Sequence, residues 1–165
     1  MTKAWLQRLL IINIFVQSGI IVTGAIVRVS GSGLGCPTWP QCVQGSYTPT
    51  VHPAESWHTW VEYSNRLLTG VLMVVAISVL FGVWMHTKDR ASRRLATAPL
   101  ALTFGQAILG GITVITGLNP YTVSAHFLLS TFIVHLSVRL WWRVRTANQT
   151  LRLSSPARRL LASAW

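Results

Sequence analysis

Four stretches of this chain are too long and too apolar to sit comfortably in water. A helix rises about 1.5 Å per residue and the hydrocarbon core of a bilayer is about 30 Å thick, so about 20 consecutive apolar residues make one span. Leu9 to Val27 and Leu67 to Met85 carry no charge, and no charged residue stands between Arg94 and Arg139. The last run is long enough for two helices, and Gly117-Leu118-Asn119-Pro120 is the turn that divides it. The expected fold is therefore an all-α integral membrane protein, a four-helix transmembrane bundle, with spans near 7–28, 58–85, 95–117 and 121–140 in one domain covering 1–165. The first span is too long for a cleaved signal peptide and leads into a structured-looking loop, so it is expected to stay in the protein. With 51% hydrophobic and 10% charged residues, an ordinary soluble domain is excluded.

The net charge of +11 is explained by the same topology. All but two of the 14 Lys and Arg fall before span one, between spans two and three, or after span four. Cations are retained on the cytoplasmic side, so both termini are expected there, with residues 29–57 as an extracytoplasmic loop and 141–165 as a basic cytoplasmic tail. The tail then meets anionic lipid headgroups, and no nucleic-acid partner is needed. Trp57, Trp60, Trp141 and Trp142 fall where interfacial aromatics anchor a span.

Span two opens with residues that do not belong in lipid: His58, Glu62, Asn65 and Arg66. Their spacing puts them on one side of a helix, and ionisable groups in a span pair, face the bundle interior and mark functional sites. The plain alternative is a Glu62–Arg66 pair at i, i+4 that neutralises both charges. Span four brings His126 to the same depth as Glu62. A histidine and a carboxylate inside a membrane bundle suit redox-cofactor or proton chemistry, and haem is the commonest histidine-ligated group in such bundles. His135 points away from His126 and is given no role; His52 and His86 are expected to be solvated.

The segment from Ser30 to Cys42 packs glycines, prolines, Trp39 and both cysteines into a short loop. Five residues between Cys36 and Cys42, on the oxidising side, suit a small disulfide over the bundle mouth, whether structural or redox-active. Metal binding is disfavoured because no third soft ligand lies nearby.

Taken together, Thr23 to Arg28, Ser32-Gly33-Leu34-Gly35-Cys36-Pro37, Trp39-Pro40, Cys42 and Glu62-Tyr63-Ser64-Asn65-Arg66 resemble the amino-terminal half of the haem A synthases. Gln106, Gly110-Gly111, Thr116 to Pro120 and His126-Phe127-Leu128 extend the resemblance from Gln7 to Arg139. It implies a bacterial plasma-membrane oxidoreductase that converts a ring methyl of haem O to the formyl of haem A, for cytochrome c oxidase biogenesis. It also implies Glu62 as the catalytic carboxylate, His126 as a haem-iron ligand, and Cys36 and Cys42 as the extracytoplasmic pair. Arg28 and Arg66, near the outer mouth, are candidate partners of the haem propionates. Haem O synthase and the oxidase assembly machinery are the implied partners.

Two departures from the family pattern matter. Asn65 stands where a second histidine is usual, so the site is either five-coordinate through His126 or completed by His58, which lies closer to the water interface. The family also has a second four-helix half that holds a haem b cofactor. Leu160 to Trp165 reads as the start of a further helix, so an amino-terminal part of a longer protein is expected, with a homodimer as the alternative; the haem b site is then absent from this chain unless it dimerises. Two further readings remain: a b-type haem electron carrier, and a haem-binding fragment without turnover. Phe15-x-Gln17 and Phe104-x-Gln106 hint at a helix-hairpin repeat.

Overall fold

The computed structural model describes residues 3–49 and 57–150. Four helices make up the fold: α1 (Lys3–Val29), α2 (Trp57–His86), α3 (Arg90–Ile115) and α4 (Pro120–Thr150). Each is long and apolar enough to cross a membrane. Large apolar side chains such as Phe15, Val22, Val74, Phe104 and Leu128 are turned outward around the bundle. That surface is unfavourable in water and well solvated in lipid, and the chain is a multi-pass membrane protein.

The connections form where backbone chemistry requires them. Thr116 caps α3, and Gly117 and Leu118 take the left-handed region with φ of 63° and 60°. The Leu118 N–H reaches the Thr113 carbonyl at 2.9 Å and the Gly117 N–H reaches that of Val114 at 3.0 Å, which closes the helix end in a Schellman pattern. Asn119 Oδ1 accepts the Tyr121 N–H at 2.9 Å. Pro120 then opens α4 at a position where a missing N–H costs nothing.

At the opposite end Asp89 caps α3, accepting from the N–H groups of Ala91 and Ser92 and from the Ser92 hydroxyl. Its carboxylate also accepts from Arg143 Nε at 2.9 Å, tying α3 to α4. The bond from Arg143, then that from Ser92, holds the Asp89 carboxyl well below the usual carboxylate range. Because the folded value is lowered, this contribution is present at neutral pH and fades once pH drops below about 4 toward the folded value. Asp89→Ala is expected to cost about 1 kcal/mol through the lost cap. Asp89→Asn keeps one acceptor oxygen and loses the charge, so it should melt below the native chain at neutral pH in detergent and converge with it on acidification.

Neighbours in the bundle run α1–α2–α3–α4 and back to α1, so α2 and α4 face each other across a diagonal. At the Asp89 end the interior is apolar: Leu6, Leu9, Leu10, Val79, Val83, Ala96, Leu140 and Val144 form one buried cluster. Toward the other end the buried residues become polar. Asn13 Nδ2 donates to Ser137 Oγ at 3.0 Å, and one turn further along α1 Gln17 Nε2 donates to Thr103 Oγ1 at 3.2 Å. The Phe-x-Gln repeat acquires a physical meaning here: both phenylalanines face outward, and Gln17 and Gln106 face inward.

α4 does not stop near residue 140. Residues 141–150, expected as part of a basic tail, continue the helix because Val144 still packs into the apolar cluster and Arg145 lies over the Trp141 ring at 5.2 Å. Arg152, Arg158, Arg159 and the stretch from Leu160 to Trp165 fall outside the described residues, as do His52 and Glu55.

Candidate functional site

The polar end of the bundle is covered by the loop that follows α1. Cys36 and Cys42 form a disulfide with a Cα–Cα distance of 4.4 Å, and both are buried. Glycines let the loop lie close on the helices. A Cβ at Gly35 would stand 2.7 Å from the His58 carbonyl oxygen, and one at Gly111 of α3 would stand 2.5 Å from the Trp39 ring. Trp39 thus seats the loop on α3 while Gly35 seats it on the first turn of α2.

Below the loop lies the Glu62–Arg66 pair, which the i, i+4 spacing on α2 makes possible. Glu62 is only 5% exposed. Its Oε2 accepts the Cys36 N–H at 2.8 Å, and its Oε1 accepts from Arg66 Nε at 3.1 Å and Nη2 at 2.6 Å. The remaining guanidinium hydrogens go to loop carbonyls: Nη1 to Thr38 and Gln41, and Nη2 to Cys36. All five donors of Arg66 are therefore engaged, and none is left for a propionate. Arg28, the other candidate, is exposed at the cavity rim, and its guanidinium makes no hydrogen bond to a described residue. The plain Glu62–Arg66 pair is present, and it also fixes the disulfide loop.

Two cavities open beneath this cover, of about 650 Å³ and about 370 Å³. They share Arg28, Asn65, Gln106 and His126 as wall residues, and Glu62 lines the smaller one. The volumes fall in the range of small-molecule and cofactor sites. Small residues on facing helices, Gly24 of α1 and Ala107 of α3, leave this space open. Gly110 makes room for the His126 ring, since a Cβ there would stand 3.2 Å from Cε1.

His126 has an imidazole that bonds to no described residue, and its Nδ1 is fully buried without a partner. A buried ring nitrogen without a partner is costly in a native interior unless a ligand completes it. Gln106 flanks it: its Nε2 donates to the His126 carbonyl at 2.9 Å and to Ser130 Oγ, and its Oε1 is also buried without a partner. Among the described residues no three His, Cys, Asp or Glu stand together, so a bare metal ion has no cage of side chains here. A flat, largely apolar metal complex held by one imidazole fits this lining.

The other sequence candidates are placed elsewhere. His58 lines neither cavity; its Nδ1 lies 2.9 Å from Ser32 Oγ and its ring stacks on Trp57. His135 is exposed on the outer side of α4, 6.4 Å from the Phe132 ring. Of the described histidines, His126 is the one that lines these two cavities. Asn65 does reach the cavities, and its Oδ1 accepts from Thr23 Oγ1 at 2.7 Å. The Thr23 contact and the seating of Trp39 on Gly111 were not legible in the sequence.

The fold and the site together define a multi-pass helical membrane bundle whose interior cavity is lined by an imidazole without a described partner. The chain belongs to the COX15-CtaA family of cytochrome oxidase assembly proteins, whose pattern it matches over residues 7–165. It is 34% identical to the haem A synthase of Bacillus pumilus, with 78% of this chain and 41% of that protein covered. Identity to the haem A synthase of Geobacillus thermodenitrificans is 30%, over 87% of this chain and 44% of the relative. For that of Shewanella oneidensis it is 29%, over 88% and 46%. The chain thus spans less than half the length of these curated relatives. No solved structure matches it.

Proposed function

We propose that the chain binds haem O in the cavity beneath the disulfide loop and oxidises one ring methyl to the formyl group of haem A. The observation that carries this reading is the unpartnered His126 imidazole, in a cavity that the Glu62 carboxylate also lines, in a chain of this family. His126 holds the haem iron, Arg28 faces a propionate, and Gly110 gives the imidazole its clearance. Taking the methyl to the formyl needs an oxidant and an oxygen atom from outside the chain, and dioxygen would balance the step, R–CH3 + O2 giving R–CHO + H2O; haem, when bound, would supply the redox-active iron. Glu62 holds a proton-accepting carboxylate at the edge of the cavity, fixed by Arg66 and the Cys36 N–H. The disulfide loop lies on the extracytoplasmic side of a bacterial plasma membrane, with both termini cytoplasmic, and it excludes water from the mouth. Haem O synthase then delivers the substrate, and cytochrome c oxidase assembly takes the product.

A second reading, a b-type haem electron carrier, is favoured by one observation: Glu62 is fully occupied as an anchor of the loop. The two readings separate on Glu62→Gln, which retains the shape and an oxygen acceptor but removes the base. Glu62→Gln also removes the charged partner of Arg66 and should lower stability, so haem is read per folded chain: haem content and visible spectrum should stay near native, while formyl formation should fall by about 10²–10⁴-fold, the usual contribution of a positioned acid–base group. Chromatography of extracted haems reads both quantities. Undiminished haem A from the variant would remove Glu62 from the chemistry.

A further inference from the structure

The same cavity carries a second binding feature, on the wall opposite His126. Asn65 lies on α2 and His126 on α4, the diagonal pair of the bundle, and both line both cavities. Thr23 Oγ1 stands 2.7 Å from Asn65 Oδ1 and 3.2 Å from the Ile20 carbonyl oxygen. The hydroxyl has one hydrogen, and 2.7 Å is the usual length of an O–H···O bond and short for N–H···O. The hydroxyl therefore donates to Asn65, which fixes the amide with its oxygen toward α1. The Asn65 amide nitrogen bonds to no described residue, so its two hydrogens are the free donors that this residue brings to the cavity wall. A neutral side-chain amide is a weak ligand for iron, which prefers imidazole, thiolate or thioether donors.

We propose that Asn65 leaves one axial face of the bound haem open as a site for a small neutral diatomic ligand, which accepts a hydrogen bond from Asn65 Nδ2. The inference rests on the haem-binding reading above. His126 occupies one axial position; the other faces a wall whose polar group donates and does not ligate. Thr23 is the positioning residue, because it holds the amide in the orientation that turns the nitrogen inward. Histidine at position 65 would instead bring a second imidazole to the cavity and close that face.

The test uses the purified full chain loaded with haem, reduced and exposed to carbon monoxide, followed by visible and infrared spectra. The native chain should take up carbon monoxide. Its C–O stretch should lie at lower frequency than in Asn65→Leu, because a donor at the ligand oxygen weakens the C–O bond. Asn65→His should hold haem with a six-coordinate spectrum and take up no carbon monoxide. Thr23→Val should move the stretch toward the Asn65→Leu position. If the native chain holds haem but takes up no carbon monoxide, or if Asn65→Leu leaves the stretch unchanged, the inference fails while haem binding stands. If the native chain holds no haem, or His126→Ala retains the native spectrum, it is the His126 reading that fails, and the inference with it.

Discussion

Replacing Arg66 by Ala is expected to lower the stability of the chain by about 3–5 kcal/mol, the range for removing one partner of a buried ion pair. The side chain joins four groups: the Glu62 carboxylate and the carbonyls of Cys36, Thr38 and Gln41. Its loss leaves Glu62 buried with only the Cys36 N–H among these contacts and leaves the Cys36 and Thr38 carbonyls without that donor, while the Gln41 carbonyl keeps the Thr38 hydroxyl at 2.8 Å. Arg66→Lys should recover less than half of the loss, because a point-like ammonium cannot reproduce the planar fork that reaches both carboxylate and carbonyls. Thermal unfolding in detergent measures both. Combining Arg66→Ala with Glu62→Gln divides the effect: the part that disappears belongs to the ion pair, and the part that remains belongs to the loop carbonyls. An Arg66→Ala chain melting with the native one would show that the disulfide and the Trp39 seat suffice to hold the loop.

His126→Ala should abolish stable haem binding. Loss of an outer-shell partner of a metal ligand typically costs 10–100-fold in affinity, and loss of the ligand itself should exceed that. The visible spectrum of the purified variant reads this directly, and added imidazole should restore part of it by entering the space that the side chain vacates. His58→Ala and His135→Ala serve as controls. Both should keep the native spectrum, since His58 is engaged with Ser32 and His135 lies outside the bundle. Loss of haem in His58→Ala with retention in His126→Ala would move the ligand to α2.

The four helices were legible because uncharged runs of that length have one physical solution, and the turn at Gly117 to Pro120 was legible because its residues demand left-handed backbone and a proline at a helix start. The buried polar start of α2 was legible for the same kind of reason: charges in a span need partners, and i, i+4 spacing named Arg66 for Glu62. What the sequence did not carry is the division of labour around that pair. That three loop carbonyls converge on Arg66 depends on the path of an irregular loop, which no periodicity encodes. His58 shares a helix face with Glu62 but lies one turn nearer the loop, where Ser32 takes it. Gln17 and Gln106 were visible in the sequence through their repeat, whereas Asn13 was not singled out; the partners of all three on α3 and α4 depend on how the helices pack. The extension of α4 past residue 140 escaped because charge marks where a helix leaves hydrocarbon, and not where it ends.

Whether this chain binds haem O and oxidises it is decided by expressing it together with a haem O synthase in a bacterium lacking its own haem A pathway, then chromatographing the extracted membrane haems. Haem A is expected in those membranes, and none when His126 is replaced by Ala. Membranes that contain the folded chain with haem O and haem b alone would contradict this expectation.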